Sequence, residues 1–222
     1  MYIHIMSVKL ISYTKPIEEL ELPFETIEEH VAFIARVSNP VSQASNLRSE
    51  RLINYLVKNK HWSPFEMIDI TLEIITTRDI GRQILRHRSF SFQEFSQRYA
   101  ITETPNTIRE ARMQDPINRQ SSIISCDDEL IDEWTLKQTQ IINLSTEIYH
   151  WALEKGIAKE QARVILPEGL TETRMYMKGS LRSWMHYIDV RADAGVQKEH
   201  RDLAILIAQE ISKVFPPIMQ FV

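Results

Sequence analysis

The sequence predicts a single domain of the α/β class, more closely an α+β fold in which a mostly antiparallel central sheet is flanked by helices. Apolar and polar residues alternate strictly from Ile68 to Ile74, the period of a half-buried strand suited to an antiparallel sheet. Helical periods lie on both sides of that strand and fill the C-terminal half. No repeat, low-complexity tract or linker divides the 222 residues, a length one domain can fill.

In chain order, Val8–Thr14 reads as a first strand. Thr26–Ser38 reads as a helix with Ile27, Val31, Ile34 and Ala35 on one side and Glu residues near its start, stopped by Asn39-Pro40. Leu47–Lys60 is a second helix, with Leu52, Ile53, Leu56 and Val57 inward. After the Ile68–Ile74 strand, Asp79–Arg88 reads as a short helix, and Ser89–Ala100 as a mixed segment ending in a strand. Thr102–Asp127 is polar, holds Pro105 and Pro116, and reads as a long loop or lid within the 1–222 domain. Glu129–Lys155 is the longest helix, its inner side assigned to Trp134, Ile141, Leu144, Ile148 and Trp151, with Gly156 ending it. A short helix at Lys159–Val164 is closed by Pro167, Arg174–Met177 reads as another strand, and helices at Ser180–Val190 and Gln197–Phe215 finish the chain.

Hydrophobic content of 43% and charged content of 25% are ordinary for a globular protein. The net charge of −4 argues against a nucleic-acid coat, so any phosphate site must be a local basic cluster. One cysteine, Cys126, excludes an internal disulfide framework and a cysteine-rich zinc site, and it suits a reducing compartment. Met1–Leu10 lacks a charged start followed by a long apolar run, so no signal peptide is expected, and no window has the length of a membrane span. No Gly-x-Gly-x-x-Gly or phosphate-loop pattern occurs, so a bound nucleotide does not use those cradles.

The basic cluster is Arg78 to Tyr99. Arg78, Arg82 and Arg86 would stack on one helix face, His87 and Arg88 extend the charge, and Ser96 and Arg98 follow. Guanidinium groups grip phosphate through paired bonds, and a serine hydroxyl adds a donor. Arg78 and Arg82 read more simply as a solvated basic face, whereas Arg86, His87, Arg88, Ser96 and Arg98 read as an anion or nucleotide site. Near the C-terminus, Leu181, Trp184, Met185 and Ile188 form the apolar side of a helix. Arg182, His186 and Asp189 share another side, either a surface stripe or part of a site.

Arg86-His87-Arg88, Ser91, Glu94, Ser96 and Arg98 together resemble the signature of the flavin-dependent thymidylate synthases, with Gln93 where many members have Asn. Ala35–Ser38, His61-Trp62-Ser63-Pro64-Phe65-Glu66, Ala162–Pro167 and Arg191-Ala192-Asp193 are similar to other boxes of that family. The resemblance covers most of the chain, least at the termini and at Thr102–Asp127. It implies synthesis of thymidylate (dTMP) from deoxyuridylate (dUMP), with methylenetetrahydrofolate as carbon donor, FAD as cofactor and hydride carrier, and NADPH as its reductant. It further implies a homotetramer with shared active sites and a cytoplasmic setting, in a bacterium or a virus-infected cell. The Arg-rich segment suits such sharing, being too basic for the core of a lone chain.

The resemblance assigns Ser38, His61, Ser63, Arg86, His87, Arg88 and Glu94 to the flavin, with Ser180, Leu181, Arg182 and His186. Many members have Asn at the positions of Ser180 and His186. Gln83, Ile84, Leu85, Arg86, Glu94, Phe95, Ser96, Gln97, Arg98, Arg163 and Arg191 are assigned to deoxyuridylate, with Ser96 and Arg98 suited to its phosphate. Arg191 is the expected catalytic residue: set against the uracil ring, it favours ionisation of the imide without transferring a proton. Taken as a structural pair, Ser63 and Glu66 would cap a helix beginning at Pro64.

Three other readings are weaker. A thymidylate synthase with a cysteine nucleophile would have to use Cys126, in a polar loop beside Asp127 and Asp128, a poor setting for a thiolate. A metal-dependent phosphohydrolase acting on nucleotides is the alternative enzyme class, but His61, His87, His186 and His200 have no ligand spacing, and no metal site is expected. A nucleic-acid binder is disfavoured by the acidic balance and the lack of aromatic platform motifs.

Overall fold

The structure, a computed structural model, describes residues 6–43, 48–102 and 107–222. Leu47, the predicted start of the second helix, and residues 103–106 of the predicted loop lie outside it, as do residues 1–5 of the stretch read for a signal peptide.

Strand β1 is Ser7–Tyr13. Helix α1, Ile27–Ala35, starts at a capping box: the Thr26 hydroxyl accepts from the Glu29 amide at 3.2 Å, and the Glu29 carboxylate accepts from the Thr26 amide at 3.1 Å. It ends before Asn39, and Pro40 opens a further short helix, α2 (Pro40–Gln43), because proline suits a first helical position. Helix α3, Ser49–Lys58, buries Ile53 and Leu56. A 3₁₀ turn at Ser63–Met67 leads into β2, Asp69–Thr77. Then come α4, Arg78–Ile84, and β3, Ser91–Glu94.

The sheet order is β1-β2-β6-β3, where β6 is Glu172–Ser180, and every pair is antiparallel. β2 and β6 form its centre, in register from Asp69 opposite Ser180 to Thr77 opposite Glu172. Alternation sends Ile70, Leu72, Ile74, Met175 and Met177 into the core. Burying each such side chain contributes roughly 1.5–3 kcal/mol. The other face is polar, with Glu73 paired to Arg174 and Asp69 to Lys178. After the short helix α6 (Lys159–Ala162), helices α7 (Leu181–Arg191) and α8 (Lys198–Ser212) cover the apolar face through Leu181, Trp184, Ile188, Leu203, Ile207 and Ile211.

Three sequence expectations are corrected. The strand within Ser89–Ala100 lies at the front of that segment. β3 pairs with Met175–Lys178, and after the Phe95 amide bonds the Arg174 carbonyl the chain turns away. Among its described residues, the Thr102–Asp127 stretch carries a hairpin, β4 (Arg112–Gln114) with β5 (Ser122–Ile124). Asp115 accepts from the Ile117 and Asn118 amides in its turn. In the longest helix, α5 (Asp128–Glu154), the apolar side is not the inner one. Trp134, Ile141, Leu144, Ile148 and Trp151 are 38–54% exposed, while Gln138, Ser145, Tyr149 and Ala152 are buried. Gln138 clamps the backbone of Arg109 through both of its groups at 2.9 Å, and Tyr149 accepts from the Thr102 amide. Helical period reveals an apolar stripe but not what covers it.

Candidate active site

The assigned residues fall into three groups around the β6–α7 junction and the α4–β3 connection. The first lies at the start of α7. The Ser180 hydroxyl caps the helix by accepting from the Ser183 amide and donates to Glu66 at 2.5 Å. Glu66 also pairs with Arg182 at 2.7 Å, so it links two chain segments rather than capping the turn at Pro64. Arg182 reaches His186 at 3.4 Å, and the His186 ring meets Trp62 edge-on at 4.8 Å. His61 and Ser63 flank Trp62 and are exposed, with His61 edge-on to Tyr55. Ser38 is exposed in the turn after α1. Leu181 is fully buried and its amide donates to the Ile68 carbonyl, so it offers a ligand little beyond its carbonyl.

The second group surrounds Arg191 at the other end of α7. Its Nε donates to His87 Nε2 at 2.9 Å, which makes His87 a neutral acceptor there. Burial and the nearby Arg191 charge both push the His87 pKa down. The His87 ring lies 4.8 Å from Tyr187. Arg191 is half-buried and, among the described residues, has no carboxylate partner. Arg86 and Arg88, on either side of His87, are exposed and have no ion pair or hydrogen bond from their side chains among the described residues. Unpaired guanidinium groups of this kind fit a dinucleotide pyrophosphate, and the Trp62, His186 and His61 rings offer surfaces for its planar parts.

The third group holds the Ser96–Arg98 strip. Glu94 accepts from Thr173 at 2.8 Å and lies 3.6 Å from Arg78 and 3.9 Å from Arg82. Arg78 is only 6% exposed, so it is a buried counter-ion to Glu94 and not a solvated face, whereas Arg82 is exposed and also faces Glu168. Phe95 and Ser96 are exposed and Gln97 is buried. Arg98 pairs with Glu160 at 3.3 Å, and Arg163 bonds the Glu160 carbonyl. Gln83 is half-buried beside the second group, Ile84 is fully buried with only its backbone available, and Leu85 is half-buried.

Sequence reasoning missed Tyr187, Gln197, Glu199 and His200. His200 sits where the apolar stripe of α8 (Leu203, Ala204, Ile207, Ile211) would place a hydrophobe, a signal that could have marked it. Burial, with the nearby Arg191 charge, lowers its pKa to about 3. Burial opposes ionisation of Glu199, but Arg112 at 2.5 Å and Arg109 at 3.0 Å outweigh it and hold the carboxyl at about 2. Among the described residues, no group of three His, Cys, Asp or Glu could hold a metal ion, so the phosphohydrolase reading finds no centre.

Residues 11–217 match the family described as thymidylate synthase complementing protein. A probable flavin-dependent thymidylate synthase of Paramecium bursaria Chlorella virus 1 is 49% identical over 214 residues, covering 96% of this chain and 97% of the relative. A flavin-dependent thymidylate synthase of Synechocystis sp. is 47% identical over 215 residues, covering 96% and 97%. The crystal structure of the UMP/dUMP methylase PolB from Streptomyces cacaoi, bound with 5-Br dUMP, superposes with a TM-score of 0.79 at 25% identity, covering 97% of this chain and 93% of PolB.

Proposed function

The chain belongs to the flavin-dependent thymidylate synthase family, and on that footing we propose that it methylates deoxyuridylate reductively to thymidylate with FAD as its cofactor. The observation that carries the division of labour is Arg191, a half-buried cation held by a neutral histidine and lacking a carboxylate among the described residues. FAD, once reduced, supplies the hydride, and the residues around it bind and orient. Arg86, Arg88 and the Glu66–Ser180–Arg182 cluster would hold the flavin, with Ser38, His61, Ser63 and His186 beside it. Gln83 and Arg191 would frame the uracil ring, with His87, on the flavin side, holding Arg191 in place. Ser96, Arg98 and Arg163 would take the nucleotide phosphate, with Arg98 exchanging Glu160 for it. Arg191 keeps its terminal nitrogens for the ring and stabilises negative charge as it develops at the imide.

Methylenetetrahydrofolate as carbon donor, NADPH as reductant, a homotetramer and a cytoplasmic setting are part of the same proposal. Sharing of sites between chains is supported by two features: one chain keeps its phosphate ligands and its ring-binding residues in separate contact groups, and α5 carries an uncovered apolar stripe. We read the 107–127 arm as a fixed wall more than a free lid, because Arg109 and Arg112 tie it to Glu199.

The test is spectroscopic. Purified protein is expected to show an oxidised-flavin absorption spectrum that NADPH bleaches. If saturating FAD gives neither binding nor NADPH oxidation, the proposal fails. Arg191→Ala should lower thymidylate formation roughly a hundredfold or more while flavin binding stays close to wild type. Equal loss of both would mean that Arg191 holds the cofactor rather than stabilising charge on the uracil ring.

A further inference from the structure

A chain of directed hydrogen bonds runs beneath the second group. The Glu199 carboxylate, 2% exposed, can only accept, and it takes a bond from Gln197 Nε2 at 3.0 Å. That fixes the Gln197 amide so that its Oε1 faces Gln83 Nε2, at 2.8 Å. Gln83 Oε1 is thereby turned to His200 Nδ1, at 3.1 Å. His200 must donate there, so its Nε2 accepts from the Tyr187 hydroxyl at 2.9 Å. Every donor and acceptor follows from one end of the relay. His200 is fully buried and touches neither the phosphate-binding strip nor the cluster at the start of α7.

We propose that His200 is a positioning residue that locks the polarity of the Gln83 carboxamide and so selects a uracil over a cytosine edge in the nucleotide substrate. The inference rests on the reading of Gln83 as a substrate contact. A free glutamine amide can turn over and match either ring. Uracil offers a ring N–H beside its 4-oxo group, and cytosine offers a ring nitrogen acceptor beside a 4-amino group, the reverse order. With Oε1 held by His200 and Nε2 held by Gln197, Gln83 keeps one lone pair and one N–H in fixed places, and only one of the two edges fits. An unmatched polar edge is rejected more strongly than a missing apolar contact.

Two substitutions separate the ends of the imidazole. His200→Asn keeps an N–H near the Nδ1 position and loses the acceptor for Tyr187. His200→Gln keeps an acceptor near the Nε2 position and loses the donor to Gln83. Affinities for deoxyuridylate and deoxycytidylate are measured by calorimetry on flavin-loaded protein. His200→Gln should weaken deoxyuridylate about tenfold and narrow its preference over deoxycytidylate, with flavin content unchanged. His200→Asn should stay near wild type in both affinities even where its melting temperature falls. Equal behaviour of the two variants, or an unmoved preference in His200→Gln, overturns the proposal. If His200→Gln fails to fold, Gln197→Met, at an exposed position, releases the other end of Gln83. A narrowed preference there supports the lock, and an unchanged one overturns it. Wild-type protein that does not bind deoxyuridylate sinks the substrate reading itself, a different failure from equal variants.

Discussion

At the scale of single residues, the clearest constraint is one the sequence did not advertise. Gly179 lies in β6 under the ring of Phe90, and a Cβ there would stand 2.6 Å from Phe90 Cε1 and closer still to Cδ1. Glycine in a strand usually weakens it, but here it lets an aromatic ring lie flat on the backbone. Phe90 then meets Trp184 at 4.7 Å and Tyr187 at 5.9 Å, and it fixes the turn that carries Arg86–Arg88. Gly179→Ala should therefore cost about 1–3 kcal/mol of stability, read as a lowered denaturation midpoint, and should weaken flavin retention. Unchanged stability would mean that Phe90 moves without consequence. Arg78 teaches a related lesson. Spacing put it on a helix face with Arg82, yet the fold buries it against Glu94, because the α4 helix lies against β6 with Gly81 facing Met175 and Thr173.

At the scale of elements, α8 does two jobs. Its apolar side covers the sheet, and its first turn carries Glu199 and His200 into the interior. Glu199 is the anchor of the β4–β5 arm through Arg109 and Arg112, and Arg109 continues to Asp79 at 2.9 Å. Removing one member of such a buried cluster leaves charge unpaired and costs roughly 3–5 kcal/mol. Glu199→Gln should speed amide hydrogen exchange in residues 107–124 well beyond that in β2 and β6. A uniform increase across the chain would show that the arm is held by something else. What the sequence disclosed follows the same division. Strict alternation at Ile68–Ile74 and the apolar side of Leu181–Ile188 reported local burial faithfully. The signature around Arg86–Arg98 was legible because its residue types and spacing are unusual. The hairpin within Thr102–Asp127 was not legible, since its strands are three residues long and the arm that carries them is anchored by Gln138 and Glu199, side chains distant in sequence. The relay through His200 was hidden for the same reason: it joins Gln83 to a residue 117 positions away, and no local period records that contact.

At the scale of the whole molecule, α5 is the unfinished part. Trp134, Ile141, Leu144, Ile148 and Trp151 form a stripe too apolar to be left in water, a mark of an interaction surface. On the proposed assembly, the combined change Ile141→Glu with Leu144→Glu should shift light-scattering mass in solution to smaller species and reduce thymidylate formation along with it. An intact tetramer would place the interface elsewhere. The relay has a second consequence, in protons rather than in recognition. His200 titrates at about 3 in the fold against an ordinary 6.5, and burial lowers His87 and His30 as well. Below pH 6.5 the unfolded chain binds protons that the folded one refuses, so stability must fall as the solution is acidified from there toward 3. Glu199 adds to the slope from 4.5 toward about 2, where its arginine pairing is lost. Melting temperature should therefore decline steadily from pH 6.5 downward, and a flat profile would contradict the buried neutral histidine. An arrangement that fixes the direction of one amide thus also sets the acidity at which the protein comes apart.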